Sequence, residues 1–386
     1  MNPLVAAAGA LVAVTALPYL AFLALYAWVR PSGSPADKRD AEPTVSIVLP
    51  TYDESGIVEK KLDDLLSLDY PMEKVEMVVV DSSDDETPEL IEDYFADREH
   101  PELNLIRETE RRGLAPALND AYAAASSEMV VKTDCDSYVA DDALREAAAN
   151  LADPDVAAVT GQNAEVLGGS EVEAGYRGVQ AHVQTLESHL DSTLIFHGPF
   201  SAFENDAIEA VHPTAPVDPN SLADDTELAL KIRRGGERVL FDPAVRYREA
   251  SHSDFGKRRL QKDRRGMGLV RLLAQHRDAL GKYDNYGRVV LPFNWWFMVI
   301  SPWLVALDVV VVTAAAVSVA GFAGVAVPAA LAGFVWLGQK DLLGPLQALY
   351  AVFDSQVSLL HGAIELLRGE GDGTWEVDEE LREAFD

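Results

Sequence analysis

The stretch TVSIVLPTY, residues 44–52, decides the fold because it predicts a strand buried in a core. Its β-branched residues favour a strand, and its proline ends the hydrogen-bonded ladder. The next stretch, ESGIVEKKLDDLLSL at 54–68, places Ile57, Leu62 and Leu65 on one face of a helix. The two stretches together predict a strand followed by a helix that covers the sheet.

The same alternation continues through residue 151. Strands alternating with helices of about ten to fifteen residues predict a parallel sheet with helices on both faces. The further predicted strands are VEMVVVDSS (75–83), LNLIRE (103–108) and EMVVKTD (128–134), and the further predicted helices are PELIEDYFA (88–96), APALNDAYAAAS (115–126) and DDALREAAANL (141–151).

Aspartates stand at the carboxyl ends of three of these strands: Asp53, Asp81 and the pair Asp134 and Asp136. Ligands of such sheets bind beyond the carboxyl ends of the strands, so we expect an acidic site at one edge. The chain has no G-x-G-x-x-G after its first strand and no G-x-x-x-x-G-K-[ST]. The missing motifs argue against a Rossmann dehydrogenase and against a P-loop enzyme.

The charge balance argues against a nucleic-acid binder. Acidic residues outnumber basic ones by 63 to 32, which gives a net charge of -31, whereas nucleic-acid binding leaves a basic footprint. The chain has one cysteine and so cannot form an internal disulfide. That composition fits a reducing compartment for the soluble part.

An uncharged N-terminal segment predicts a membrane anchor over residues 1–30. Residues 2–29 carry no charge, and a bilayer needs only ~20 apolar residues. A cleaved signal peptide is the alternative, but it has a positive region before its apolar core, and here the first charge is Arg30. Arg30, Lys38 and Arg39 predict that the chain after the anchor is cytoplasmic.

The C-terminal part carries a second apolar block. Between residues 289 and 337 the only charge is Asp308, which predicts a transmembrane hairpin over 289–338 that turns near Gly321 to Gly324. The segment 339–368 contains ionisable residues and is either a third span or an interfacial helix. The predicted remainder is a linker at 31–43, a cytosolic domain at 44–288 and an acidic tail at 369–386.

Six motifs in a fixed order carry a family resemblance. VSIVLPTYDE, VVVDSSDDET, RRGLAPALN, KTDCDS, SLADDTELALKIRRGG and QKDRRG resemble those of family 2 glycosyltransferases over residues 44–271. The resemblance implies an α/β GT-A nucleotide-sugar-binding domain with a mixed, mainly parallel sheet. Members that are polysaccharide synthases or lipid-linked sugar transferases also carry transmembrane helices.

Asp134-Cys135-Asp136 resembles the D-x-D motif of the family. The resemblance implies that Asp136 binds Mg²⁺ or Mn²⁺ and that Asp134 binds the donor's ribose, its sugar or the metal. Such ions prefer oxygen ligands and neutralise the charge of a leaving diphosphate. The alternative is a pair of aspartates that only forms a turn.

Other motifs resemble donor-binding segments. The PTYDE loop implies that Thr51, Tyr52 and Asp53 surround the nucleotide, and Asp81 is similar to an aspartate that accepts a bond from uracil, which favours a UDP-sugar. Leu114 stands where the family often has lysine, so Arg112 or its neighbour Arg111 is the candidate for a charge near the diphosphate. Plain solvated arginines are the alternative.

Asp225 in ADDTELALKI resembles the catalytic aspartate of the family. The resemblance implies a general base that takes the proton of the acceptor hydroxyl during inverting transfer. An N-cap at the start of a helix is the alternative.

QKDRRG resembles the Q-x-x-R-W motif of polysaccharide synthases. Gln261 and Arg264 match, and Arg265 replaces the tryptophan. Arginine binds diphosphate in a bidentate manner, although this basic stretch also suits anionic lipid headgroups. The missing tryptophan, which lies by the acceptor sugar in the synthases, argues against long-chain synthesis.

The sequence thus predicts a membrane-bound, multi-pass, inverting glycosyltransferase with a cytoplasmic catalytic domain. Its expected donor is a UDP-sugar, and its expected acceptor is lipid-linked, such as a polyprenyl or dolichyl phosphate or a lipid-linked oligosaccharide. The alternatives are a processive polysaccharide synthase and a catalytically silent membrane scaffold. Whether the protein forms an oligomer stays open.

Overall fold

The computed structural model describes residues 2–167, 171–250, 255–369 and 382. The predicted acidic tail lies outside these residues, apart from its first residue and Arg382.

One mixed sheet organises the domain. Its strand order is β3-β2-β1-β4-β7-β6-β8-β5. The pairs within β3-β2-β1-β4 and the pair β6-β8 are parallel, while β7 runs antiparallel to β4 and β6, and β5 runs antiparallel to β8. The strands are β1 Val45–Thr51, β2 Val75–Asp81, β3 Glu102–Arg107, β4 Met129–Lys132, β5 Ser137–Val139, β6 Val156–Leu167, β7 Ser201–Glu204 and β8 Arg238–Ala250.

Helices cover both faces of this sheet. The predicted helices after β1, β2, β3 and β5 form as α2 to α5, and the prediction of a mixed, mainly parallel α/β sheet is confirmed. The helices are α1 Pro3–Val29, α2 Val58–Leu66, α3 Thr87–Phe95, α4 Leu114–Ala124, α5 Ala143–Leu151, α6 Glu171–Leu190, α7 Asn205–Val211, α8 Asp224–Gly235, α9 Phe255–Gln275, α10 Leu291–Trp295, α11 Ser301–Ala320, α12 Ala326–Gln339 and α13 Gln347–Arg368.

Alternate residues of β1 point into two different cores. Ile47 and Leu49 join Leu62 of α2 on one face, whereas Val48 joins Leu118 of α4 on the other. This period of two is the geometry of a strand. Because both faces are buried, the predicted strand is an almost unbroken apolar run, and its carboxyl end is the part left open for a site.

Two apolar helices lie outside the sheet. Pro3–Val29 and the interrupted helix Tyr286–Gln339 are long and apolar enough to cross a bilayer, by length and composition alone. They pack on each other: the Tyr19 and Ser301 hydroxyls lie 2.6 Å apart. Gly321, at φ +58°, separates α11 from α12. The number of spans stays a prediction.

The segment after this hairpin packs on α9. Asp354 of α13 is buried and accepts hydrogen bonds from Arg259 at 3.0 Å and Lys262 at 3.3 Å, both on α9. A buried carboxylate needs such partners to offset the loss of its hydration. These ion pairs join α13 to α9, and whether α13 is a third span or an interfacial helix stays a prediction.

Candidate active site

The turn that follows β4 carries the D-x-D motif. A buried lysine bonds to the residues on either side of this motif. Lys61 Nζ donates to Thr133 Oγ1 at 3.0 Å and to the Ser137 carbonyl at 2.6 Å. Between these anchors Cys135 packs into the core, and burial raises the pKa of its thiol well above the usual value. The cysteine is therefore a packing residue, and the aspartates beside it belong to a fixed turn.

Lys132, the last residue of β4, joins the two acidic motifs. Its Nζ lies 2.7 Å from Asp134 Oδ1 and 3.3 Å from Asp225 Oδ2. Burial favours the neutral amine, but the two aspartates prevail and raise the pKa of Lys132 well above its usual range. Lys132 is not among the site residues that the sequence predicts.

Asp225 lies in the first turn of α8 without capping it. The N-cap position is Ala223, which makes no side-chain cap bond. Asp225 Oδ1 is buried without a hydrogen-bond partner among the described residues. Burial raises the pKa of Asp225 to about 7, against the opposing effect of Lys132. A buried carboxylate with a free oxygen and a pKa near neutrality has the properties of a general base.

Gly198 lets these groups come together. A Cβ at this position would lie 2.6 Å from Asp134 Oδ2, 2.8 Å from Lys132 Nζ and 3.3 Å from Asp225 Oδ2. Any side chain would displace the charged atoms. The sequence does not predict a role for Gly198 either, because a glycine in a loop gives no local sign of which side chains pack against it.

Asp136 faces a different set of charges. Burial, together with the carboxylates of Asp134 and Glu249, raises the pKa of Asp136 to about 7. Carboxylates crowded in this way favour a bound cation or proton. The predicted metal residue thus lies in a region of negative potential.

These residues fit a divalent ion that is shared with a substrate. Among the described residues, no cluster of three or more His, Cys, Asp or Glu side chains forms a complete metal site. Mg²⁺ sites in nucleotide enzymes use one or two carboxylates and complete the shell with water and substrate phosphates. Asp134 and Asp136 match that pattern, and Lys132 already occupies one oxygen of Asp134.

The predicted donor residues at the ends of β1 and β2 form one bonded loop. Thr51 Oγ1 donates to Asp81 Oδ2 at 2.6 Å, and Ser83 Oγ donates to the same oxygen at 2.7 Å. The Asp53 amide donates to Ser83 Oγ at 2.8 Å, and Asp53 itself adopts a positive φ of 52°. Asp81 therefore fixes the conformation of this loop by accepting these hydrogen bonds.

Tyr52 lies beside Arg111. The guanidinium carbon of Arg111 is 3.6 Å from the centre of the Tyr52 ring, a stacked cation–π arrangement. Its neighbour Arg112 instead donates from Nε to Glu108 at 2.7 Å and pairs with Asp120. Of the two arginines, Arg111 is the one that the structure brings to Tyr52.

Arg382 contacts the same loop from the C-terminal tail. It donates to the Tyr52 carbonyl at 3.1 Å, and its guanidinium lies 3.0 Å from Glu54 Oε2. The loop after β1 is thus contacted both by Arg111 and by a residue 330 positions further along the chain.

The three predicted residues on α9 are Gln261 and, one turn further along, the adjacent Arg264 and Arg265. Arg265 donates to Glu249 Oε1 at 2.5 Å, while Arg177 of α6 donates to Glu249 Oε2 at 2.9 Å. Arg265 also acts electrostatically on Asp136, lowering its pKa. The structure therefore brings Arg265 to the D-x-D side of the site, on the same helix as Gln261 and Arg264.

A mixed sheet, with aspartates at its strand ends and a basic helix beside them, defines a transferase of the GT-A type. Two family models agree with this assignment. The description "Glycosyl transferase family 2" matches residues 46–211, and "Glycosyl transferase family group 2" matches residues 129–337, more than half of the chain. The chain belongs to glycosyltransferase family 2.

Two curated relatives are similar to about half of the chain. Poly-beta-1,6-N-acetyl-D-glucosamine synthase of Staphylococcus epidermidis is 28% identical over 211 residues, covering 53% of this chain and 47% of that protein. The same synthase of Staphylococcus aureus is 27% identical over 205 residues, covering 52% and 48%. The chain spans about half the length of these curated relatives.

A solved structure matches nearly the whole chain. A mannosyltransferase from Pyrobaculum calidifontis, in complex with GDP-Man and Mn²⁺, is 29% identical with a TM-score of 0.79, covering 95% of this chain and 100% of that one. Among the two acceptor classes considered from the sequence, the curated relatives favour the polysaccharide synthase alternative over the lipid-linked acceptor.

Proposed function

We propose that the chain transfers a sugar from a nucleotide sugar to an acceptor hydroxyl, with inversion at the sugar carbon. Asp225 Oδ1 carries this proposal: it is a buried carboxylate oxygen with no partner among the described residues, joined to the D-x-D turn through Lys132. Inverting transfer needs one such base to take the acceptor proton. Asp225 has that role, and Lys132 holds its second oxygen in place.

The D-x-D turn is proposed to bind the donor diphosphate. Asp136, with Asp134, would hold Mg²⁺ or Mn²⁺, which would neutralise the charge of the leaving diphosphate. Arg265, next to Asp136, is the proposed phosphate-binding cation of α9, with Gln261 and Arg264 on the same helix. The Mn²⁺ in the solved mannosyltransferase supports the choice of ion.

The nucleotide is proposed to lie on the loop formed by Thr51, Tyr52, Asp53 and Asp81. The stacked Tyr52 and Arg111 pair supports this placement because it offers a flat surface to a base. A UDP-sugar is the donor that the sequence motifs favour, and GDP-mannose is the one found in the solved relative. Both belong in the donor panel below.

For the acceptor, we propose the end of a saccharide chain, which the named synthases support. A lipid-linked saccharide or phosphate is the second candidate. The position of α9 favours it. Arg259 and Lys262 of α9 bond to Asp354 of α13, the helix that follows the apolar hairpin. In both cases α1 and the Tyr286–Gln339 helix are proposed to embed the protein in the cell membrane, with residues 44–288 in the cytoplasm.

The test of this function uses detergent-solubilised full-length protein with UDP-GlcNAc, UDP-Glc and GDP-Man. Release of nucleoside diphosphate should depend on Mg²⁺ or Mn²⁺. Asp225→Asn should keep donor affinity and lower transfer by about two to four orders of magnitude. Asp206→Asn is the matched control, because Asp206 also stands in the first turn of a helix but is exposed.

Two outcomes would overturn the proposal: full activity in excess chelator, or near-normal turnover by Asp225→Asn. The product separates the two acceptors. A ladder of lipid-free saccharide indicates chain extension, whereas one lipid-bound product that accumulates with donor in excess indicates the lipid-linked acceptor.

A further inference from the structure

A residue from the C-terminal end of the chain contacts the loop that is proposed to hold the nucleotide. Arg382 Nη2 donates to the Tyr52 carbonyl at 3.1 Å and lies 3.0 Å from Glu54 Oε2. Tyr52 and Arg382 are 330 positions apart in the sequence. Arg382 also lies beyond residue 337, where the second family model ends. The motifs of the family therefore give no sign of this contact.

The loop that Arg382 contacts has a backbone conformation that depends on bonds from outside it. Asp53 adopts a positive φ of 52°, which is uncommon for a residue other than glycine. The Asp53 amide donates to Ser83 Oγ at 2.8 Å, and Asp53 Oδ1 accepts from the Asp84 amide at 2.9 Å. Those bonds fix Asp53 itself, and Arg382 bonds the residues directly before and after it.

Arg382 also supplies a positive charge in an acidic part of the site. Burial, together with the carboxylates of Asp85 and Asp134, raises the pKa of Glu54, and Arg382 opposes that rise. The same guanidinium acts electrostatically on Cys135, between the two aspartates of the D-x-D turn. The Arg382 side chain is 20% exposed and that of Glu54 is 18% exposed, so salt screens the pair only in part. Without this partner, Glu54 would add an uncompensated negative charge beside the proposed diphosphate site.

Tyr52 is contacted by two arginines from distant parts of the chain. The guanidinium carbon of Arg111 lies 3.6 Å from the centre of its ring, and Arg382 bonds its carbonyl. The ring and the backbone of Tyr52 are therefore both held by contacts within the chain. A binding loop that is ordered in advance loses less conformational entropy when its ligand binds, and this raises the affinity.

We propose that Arg382 is a positioning residue of the donor site, which holds Tyr52 and Glu54 in the arrangement that receives the nucleoside diphosphate. The inference rests on the proposed function and extends it, because donor binding then depends on a residue beyond the family-matched part of the chain. Arg382 acts through the loop and not on the reacting atoms. Its loss should therefore raise the donor KM and spare kcat, the pattern expected when only binding is weakened.

Donor binding to the detergent-solubilised full chain tests this role. UDP and GDP, each with Mn²⁺, are titrated by calorimetry, and at least one of them should bind the unaltered protein. Arg382→Ala should weaken that binding about tenfold, the scale of one hydrogen bond to a charged group. With the nucleotide sugar that turns over, the donor KM should rise by a similar factor, and kcat should stay within about twofold.

Rescue by a conservative variant separates positioning from a general effect on stability. One nitrogen, Nη2, makes both contacts of Arg382. Arg382→Lys should therefore recover part of the affinity that Arg382→Ala loses, whereas Arg382→Gln should not, because it lacks the charge. The melting temperatures of all three variants should stay within about 2 °C of the unaltered chain, since Arg382 is partly exposed and lies outside the sheet.

Arg98→Ala is the matched control. Arg98 donates to the Tyr94 carbonyl at 3.0 Å, and its guanidinium carbon lies 4.4 Å from the centre of the Tyr94 ring. It thus makes similar contacts with a tyrosine, but it precedes the start of β3, at the edge of the sheet opposite the donor loop. Nucleotide affinity and donor KM should be unchanged in this variant.

Unchanged nucleotide affinity and donor KM in Arg382→Ala would refute the proposal. A higher kcat or tighter nucleotide binding in that variant would also overturn it, because Arg382 would then obstruct the site. So would a loss of affinity that comes with a lower melting temperature and that Arg382→Lys does not recover. A protein that releases no nucleoside diphosphate from any nucleotide sugar would instead refute the proposed function, and nucleotide binding that weakens in Arg382→Ala would then still support the role of Arg382.

Discussion

Replacing Lys132 with methionine tests how the two acidic motifs are held together. The change keeps an unbranched chain of similar length in the buried strand and removes only the ammonium group. Asp134 then loses a partner at 2.7 Å, and Asp225 loses one at 3.3 Å. Asp224, whose pKa is also raised by burial, lies within the electrostatic reach of the same lysine.

The size of the effect follows from how deeply each group is buried. The side chain of Lys132 is 2% exposed and that of Asp225 is 11% exposed, but that of Asp134 is 30% exposed. Removing one partner of a buried pair costs about 3–5 kcal/mol. Water can hydrate Asp134 in compensation, so we expect the lower end, about 3 kcal/mol. That corresponds to a fall of roughly 6–12 °C in the unfolding midpoint of a domain of this size.

The assay is thermal unfolding of the detergent-solubilised full chain, without metal and with Mn²⁺. Lys74→Met is the control, because Lys74 pairs with Glu42 on the surface at 3.4 Å, and its midpoint should stay unchanged. Mn²⁺ should stabilise Lys132→Met more than the unaltered protein, since the ion replaces the lost charge. A Lys132→Met midpoint within about 2 °C of the unaltered chain would refute the reasoning.

Three further predictions concern the site and the helix docked on it. Gly198→Ala should lower kcat because a Cβ there would displace Asp134, Lys132 and Asp225, and it should lower the free energy of unfolding by about 1–3 kcal/mol; Gly175→Ala, where a Cβ meets nothing within 4 Å, should do neither. Transfer should fall as the pH drops through about 7, since the base Asp225 has its pKa raised to about 7 and works only when ionised; an acid limb of the kcat/KM profile near 4 would contradict this. Asp354→Ala should expose α13 to limited proteolysis, because Arg259 loses its buried partner; unchanged cleavage would count against the docking.

The parallel half of the sheet was predictable because its strands are continuous apolar runs. Both faces of β1 and β2 are buried, so their local sequence is enough to identify them. The other half is different. β6 and β8 pair with three shifts of register, and Gly161 is needed because a Cβ there would lie 2.3 Å from the Val245 carbonyl oxygen. Such a pairing depends on residues far apart in sequence, and local patterns do not contain it.

The same distinction applies to the site. Aspartates at the ends of β1, β2 and β4 were predictable because parallel strands bring their carboxyl ends to one edge. Lys132 was not, since a lysine at the end of an apolar strand is commonly a solvated residue. Its role depends on Asp225, 93 residues further along. The sequence left Arg111 and Arg112 both as candidates for a related reason: neighbouring residues of the same type differ only in their contacts, and only the structure shows that Arg111 stacks on Tyr52.

The arginine that stands in place of the synthase tryptophan has a physical explanation. Burial opposes ionisation of Glu249, but Arg265 and Arg177 prevail and lower its pKa to about 2. Glu249 is thus ionised between Arg265 and Arg177, so the residue that the resemblance aligns with the synthase tryptophan is part of an ion pair. An ion pair offers no apolar face to a sugar, so acceptor recognition must come from neighbouring groups. Arg265, paired with Glu249, therefore differs in its contacts from the tryptophan that the resemblance to the synthases leads one to expect.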